Sequence, residues 1–159
     1  MDKRETDMMF KNTGDDRETP QDCYEMLNDR FGFNLDPCAT DANHKCEKYF
    51  TEAINGLEQD WQGRTVFVNP PYSQNKAWLK KCYEESRKDD TIVVVLIPSR
   101  TDTRYWHDYV MKANILWFVK GRLKFGTETN TAPFPSAVAV FSGATAYSFG
   151  PEVATLERP

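Results

Sequence analysis

Thr91–Ile97 reads as a central strand, and after Thr91 no polar residue interrupts the stretch IVVVLI. A strand with one wetted face alternates apolar and polar side chains, so six apolar residues in succession, five of them β-branched, mark a strand covered on both faces. Such sheets are joined by helical crossovers, and the helical half of the pattern is present. Lys76–Lys88 places Leu79, Cys82, Tyr83 and Ser86 on one stripe, and Val66–Val68 forms a second short strand-like run before it. The chain reads as α/β: a mainly parallel sheet with helices on both faces. Ligands are expected at the carboxyl ends of its strands.

The remaining elements fit that frame. Thr19 followed by Pro20 suits a helix start, with Thr19 as N-cap and Pro20 in the first helical position; Tyr24, Leu27 and Phe31 share a face, and Gly32 suits the C-cap. Phe33–Asp36 reads as a short strand stopped by Pro37, with a further candidate at Tyr49–Thr51. Tyr105–Met111 reads as a short helix, Ile115–Val119 as a strand and Ala137–Phe141 as the last strand. At 159 residues one domain suffices. Residues 1–17 are polar and 144–159 weakly patterned, so both are expected to be tails around a domain at 18–143.

Composition narrows the function classes. No apolar run approaches the ~20 residues of a membrane span, and the charged start MDKRETD has no apolar stretch behind it, so a cytoplasmic protein is expected. Cys23, Cys38, Cys46 and Cys82 lack framework spacing, and no disulfide is expected. Cys38, His44 and Cys46 fall within nine residues but have no C-x-x-C hook and no fourth ligand, so no metal is assigned. The formal net charge is −4, unevenly spread. Residues 1–60 carry 7 Lys and Arg against 15 Asp and Glu, whereas 61–159 carry 13 against 9. A basic stretch including Arg100, Arg104, Arg122 and Lys124 suits either a solvated face or one that tracks phosphates.

Within VFVNPPYS, residues 66–73, Pro70 and Pro71 end the strand, fix the backbone and remove two N–H donors while leaving carbonyl acceptors. A conjugated exocyclic amine such as adenine N6 is a poor nucleophile because its lone pair is delocalised. The Asn69 side-chain oxygen and the Pro70 carbonyl, as two preset acceptors, would take both N–H groups and aim that lone pair at an incoming methyl. Tyr72 supplies a ring to stack on the base, which must leave a duplex to reach such a corner. A plain strand-ending turn would use the same residue types.

The motif resembles that of the amino-methyltransferases that use S-adenosylmethionine, and the chain from about Thr19 to Phe141 resembles the phage DNA N-6-adenine methyltransferase (Dam) family. The matching pieces, in order, are TPQDCYEMLNDRFGFNLDPCAT, GLEQDW, VFVNPPY, IPSRTDTRYWHDYV, GRLKFG and NTAPFPSAVAVF. The resemblance implies a single-domain Rossmann-like methyltransferase sheet whose last strand is inserted antiparallel, a sulfonium cofactor, and adenine in DNA as substrate, in a bacterial cell hosting a phage or prophage.

Carried over by residue, the catalytic corner is Asn69, Pro70, Pro71 and Tyr72. Thr19 and Pro20 correspond to the segment touching the methionine end of the cofactor, and Asp36, Pro37, Cys38 and Ala39 to the turn beside its amino acid part. No glycine-rich turn follows Asp36, which departs from methyltransferases at large. Asp60 is expected either on the cofactor's adenine amine with Trp61 beside it or as a plain turn carboxylate; for the ribose, Glu47 and Glu52 stand as alternatives. Phe125 is either a second ring for the base or a core aromatic. Arg122 and Lys124 alternate with Leu123 and Phe125 and would share one face of a strand. Arg100 and Arg104 either position DNA or form an ion-pair cluster. The expected chemistry is direct displacement on the methyl group, with no covalent intermediate and no buried general base. The rivals are the same chemistry on RNA or protein glutamine, and a non-catalytic DNA-binding module on the same fold.

Overall fold

A computed structural model describes residues 18–126, 131–143 and 150–159. A five-stranded sheet is built from β1 (Thr65–Val68), β2 (Ile92–Pro98), β3 (Ile115–Val119), β4 (Ser136–Ser142) and β5 (Glu152–Leu156) in the order β1-β2-β4-β3-β5. Three helices accompany it: α1 (Gln21–Phe31), α2 (Asn75–Ser86) and α3 (Arg104–Asp108). β1 pairs parallel with β2, and β3 with β5, while β4 pairs antiparallel with both β2 and β3. Four strands therefore share one direction and β4 alone runs against them. None of the helices among the described residues is long and apolar enough to cross a membrane.

The unbroken run of β2 is buried as its composition demands. Val93, Val94, Val95 and Ile97 are fully covered, with Val93, Val95 and Ile97 facing one side and Val94 and Leu96 the other. On the first side lie Trp78, Leu79 and Cys82 of α2 and Trp106 of α3; on the second lie Cys23, Tyr24 and Leu27 of α1. Each large aliphatic side chain so buried contributes roughly 1.5–3 kcal/mol relative to exposure. Helices thus cover both faces.

Three expectations change. Antiparallel β4 is not the last strand, because β5 follows it inside the segment 144–159 expected as a tail. Four of the five residues of β5 are exposed and Leu156 alone is buried, so its sequence carries no apolar alternation to announce it. The strands expected at Phe33–Asp36 and Tyr49–Thr51 reduce to two parallel bridges, Leu35 with Val66 and Asp36 with Tyr49, which extend the sheet past β1. Finally, α1 begins at Gln21 with Pro20 in the cap position and no side-chain cap, so Thr19 is not the N-cap; Gly32 closes the helix in the left-handed conformation. The tail expected at 1–17 lies outside the described residues.

Candidate active site

The bridges define where a ligand fits. From Leu35 the chain moves outward to Tyr49, then returns past its starting point to enter β1 on the other side. Connections leaving in opposite directions open a crevice beyond the carboxyl ends of the two neighbours. A cavity of about 630 Å³ occupies that crevice, within the size range of small-molecule sites. One wall is the turn Asp36–Thr40, a second is Glu52 with Asn55–Leu57, and a third holds Asn69, Pro71 and Trp78.

The end of β1 delivers Asn69 to this cavity, where it is half-buried. Its Nδ2 donates to Thr19 Oγ1 at 2.9 Å, across 50 residues of sequence. An amide that commits its nitrogen in this way turns its oxygen to the opposite side. Thr19 also lines the cavity and is 3% exposed, so the hydroxyl expected to cap a helix instead fixes the orientation of Asn69. Pro70 is buried and outside the lining, whereas Pro71, in extended conformation, lines the cavity and leads into the short turn Tyr72–Gln74.

Asp36 is 5% exposed and lines the cavity. Its two carboxylate oxygens accept the backbone N–H groups of Cys38 (3.3 Å) and Lys45 (2.9 Å). Burial pushes its carboxyl above the usual range despite these two bonds, which pull the other way. Pro37, Cys38 and Ala39 complete the wall, with Ala39 N–H bonded to Phe50 O at 3.0 Å. Of the two acids considered for a ribose, Glu52 lines the cavity and Glu47 does not.

Asp60 is placed elsewhere. Its side chain is 69% exposed and pairs with Lys88 at 2.8 Å, a hydrogen bond that holds its carboxyl below the usual range. Lys88 and Lys81 both pair with Glu85, which is 2% exposed, and Lys81 also donates to Gln59 O. Asp60 thus belongs to an ion-pair cluster joining its turn to the end of α2. Its neighbour Trp61 turns the other way into the core and donates to Gly56 O at 3.0 Å, holding the cavity's second wall from behind.

Tyr72 meets Phe125 edge-on at 6.4 Å between centroids, but its nearer ring is Phe134, edge-on at 5.0 Å. Phe125 is 2% exposed and Phe134 8%, so both are packed as core aromatics in this conformation. Arg100 lies over the Phe134 ring at 5.8 Å. Leu123 and Phe125 are buried while Arg122 and Lys124 are exposed, as the alternation predicts, although the segment is not a strand. Arg122 Nη1 donates to Ala132 O at 3.3 Å. Arg104 is exposed at the start of α3. Arg100, Arg104, Arg122 and Lys124 all follow the carboxyl ends of β2 or β3, so they share the sheet edge that bears the cavity.

The sequence reading missed Phe134, Asn55, Leu57 and Trp78. Asn55 carried the one available signal: an asparagine before glycine favours the left-handed backbone it adopts at φ 61°, where its side chain caps Leu57 N–H. The His44 and Cys46 side chains are occupied separately. Cys46 Sγ lies 3.6 Å from Tyr24 OH, and His44 stacks on Tyr49 at 3.9 Å. Among the described residues no group of three His, Cys, Asp or Glu side chains could hold a metal ion.

Residues 7–144 match the family described as DNA N-6-adenine-methyltransferase (Dam). A DNA N-6-adenine-methyltransferase of Haemophilus phage HP1 (strain HP1c1) is 30% identical over 115 residues, covering 69% of this chain and 66% of that protein. A protein of the same description from Escherichia phage T1 is 27% identical over 129 residues, covering 80% of this chain and 54% of the relative. The matched stretch spans less than two thirds of either relative.

Proposed function

We propose that this chain, which belongs to the DNA N-6-adenine-methyltransferase (Dam) family, transfers a methyl group from S-adenosylmethionine to the N6 amine of an adenine in DNA. The observation that carries this reading is the Asn69 amide, oriented by Thr19 where both line the cavity beyond β1. The strand order, with one antiparallel strand inserted among parallel ones, supports a Rossmann-like methyltransferase sheet.

The residues around the cavity fit the cofactor. A buried carboxylate whose burial resists its ionisation gains from a cation, so Asp36 is the group to hold the ammonium. Of the residues that line the cavity, Pro37 and Gly56 would border the cofactor's middle, Glu52 would take its ribose hydroxyls, and Leu57 and Trp78 would give an apolar wall for its purine. When bound, the cofactor supplies a methyl group on a positively charged sulfur.

The rest of the chemistry belongs to the chain. Asn69 Oδ1 and the Pro70 carbonyl accept the two N6 protons and draw the nitrogen toward a pyramidal geometry. Prolines at 70 and 71 keep those acceptors in place without reorganisation. Tyr72 stacks on the extruded base once the ring cluster with Phe125 and Phe134 gives way, and Arg100, Arg104, Arg122 and Lys124 face the phosphates. The methylated amine is acidic enough to lose its proton to water. Against the rival of a non-catalytic module stands the polar cavity beside Asn69.

Tritiated methyl transfer to unmethylated duplex DNA, RNA and protein, with wild type beside Asn69→Ala, tests the proposal. Label is expected on DNA adenine with the wild type only. Label confined to RNA or protein, or equal label with the variant, would overturn it.

A further inference from the structure

The family match ends at residue 144, yet the sheet does not. Beyond it, β5 pairs along β3 from Ile115–Glu152 to Val119–Leu156, and Lys120 N–H continues the ladder to Leu156 O at 3.1 Å. Two residues past the strand, Arg158 turns back over the segment that leaves β3. Its Nε donates to Lys120 O at 2.9 Å and its Nη1 to Arg122 O at 3.2 Å. A planar guanidinium can serve two convergent carbonyls at once, which an ammonium cannot do in the same geometry. Between those carbonyls sits Gly121 at φ +77°. A Cβ there would stand 2.8 Å from Arg158 Nη2, so the bare glycine both turns the chain and leaves room for the fork.

What the fork holds is the segment Lys120–Gly126, which carries Arg122, Lys124 and Phe125. Its far end is fixed by Gly126 N–H to Glu18 O at 2.9 Å, immediately before Thr19, whose hydroxyl orients Asn69. Its middle is held by Ala132 N–H on Leu123 O at 2.7 Å. Among the described residues, only the end nearest β3 depends on residues outside the family match. We propose that Arg158 is a positioning residue for the DNA substrate: it fixes the segment Lys120–Gly126 so that the exposed Arg122 and Lys124 are presented together to the phosphates while Leu123 and Phe125 stay packed beneath them. This rests on the proposed function, and its test separates the two.

Arg158→Ala and Arg158→Lys are compared with wild type in two assays. Hydrogen exchange of the peptide spanning 120–126 should quicken about tenfold in both variants, because lysine keeps the charge but not the fork. In methyl transfer, KM for DNA should rise about fivefold in both, with kcat and the affinity for S-adenosylhomocysteine within twofold of wild type. Unchanged exchange overturns the proposal. So does a wild-type KM in Arg158→Lys, which would make Arg158 a plain phosphate contact. Should the wild type methylate no DNA, the proposed function falls, while the exchange comparison still decides whether Arg158 holds the segment.

Discussion

Gly56 offers the sharpest test of the cavity. It is buried in the second wall, and its carbonyl accepts the Trp61 indole N–H at 3.0 Å and Gln59 N–H at 3.3 Å. A Cβ built on Gly56 would lie 3.0 Å from the Pro37 carbonyl carbon, 3.2 Å from Pro37 Cβ, and inside the contact shell of the Pro37 oxygen. The obstacle is backbone, so no side chain can swing aside. To restore ordinary contact the two walls must part by about 1 Å. Overpacking of this kind costs about 1–3 kcal/mol, and loosening the Trp61 bond adds about 1. Gly56→Ala should therefore lose about 3 kcal/mol, or on the order of 6–12 °C in Tm for a chain of this size. Because Pro37 and Gly56 both line the cavity, affinity for S-adenosylhomocysteine should fall at least about tenfold, or about 1.4 kcal/mol. Thermal melts followed by circular dichroism, with calorimetric titration well below the midpoint, measure both. A variant melting within 2 °C of wild type and binding within about twofold would show that the two walls do not close on the ligand as described.

Asn69→Ala should lower kcat by more than about a hundredfold, roughly 3 kcal/mol, with S-adenosylhomocysteine binding retained in calorimetry. Thr19→Val keeps the shape and removes only the hydroxyl that orients Asn69; a loss of about 1 kcal/mol, roughly fivefold in single-turnover rate, is expected. Asp60→Asn should leave cofactor affinity unchanged in the same titration, because its side chain faces Lys88 and solvent rather than the cavity. Burial makes folded Asp36 hold its proton more tightly than the unfolded chain does, from an ordinary value of 3.8 upward. Between that value and the raised one the folded state binds more protons, so stability falls as pH rises through the interval. Urea titrations from acid to neutral pH should show this slope in wild type and not in Asp36→Asn, while S-adenosylhomocysteine affinity of the wild type rises over the same range.

Elements defined by periodicity were legible. The apolar run of β2, the stripe of α2 and the breakers after β1 each follow from side chains that must leave water or from rings that cannot donate. The alternation of Leu123 and Phe125 with Arg122 and Lys124 also sorted inside from outside without a strand to support it. β5 was not legible for the same reason: an edge strand with four exposed residues is held by backbone bonds to β3, and backbone bonds leave no mark in composition.

Partners were harder to read than faces, and the site is made of partners. Thr19 has a strong local preference for capping the helix that follows it, yet its hydroxyl meets a residue 50 positions away. Asp60 and Trp61 are adjacent, and reading them as a pair required both to face one way; in an extended turn neighbours face opposite ways, so burying Trp61 sends Asp60 outward. Phe125, read as a second ring for the base or a core aromatic, is packed in the core, and the ring closer to Tyr72 is Phe134, brought in by the strand that runs against the others. Each of these contacts joins segments that only the sheet's topology brings together. Breaking the Thr19–Asn69 contact should therefore injure rate more than stability, whereas changes on β2 or α2, whose faces the sequence already declares, should do the reverse.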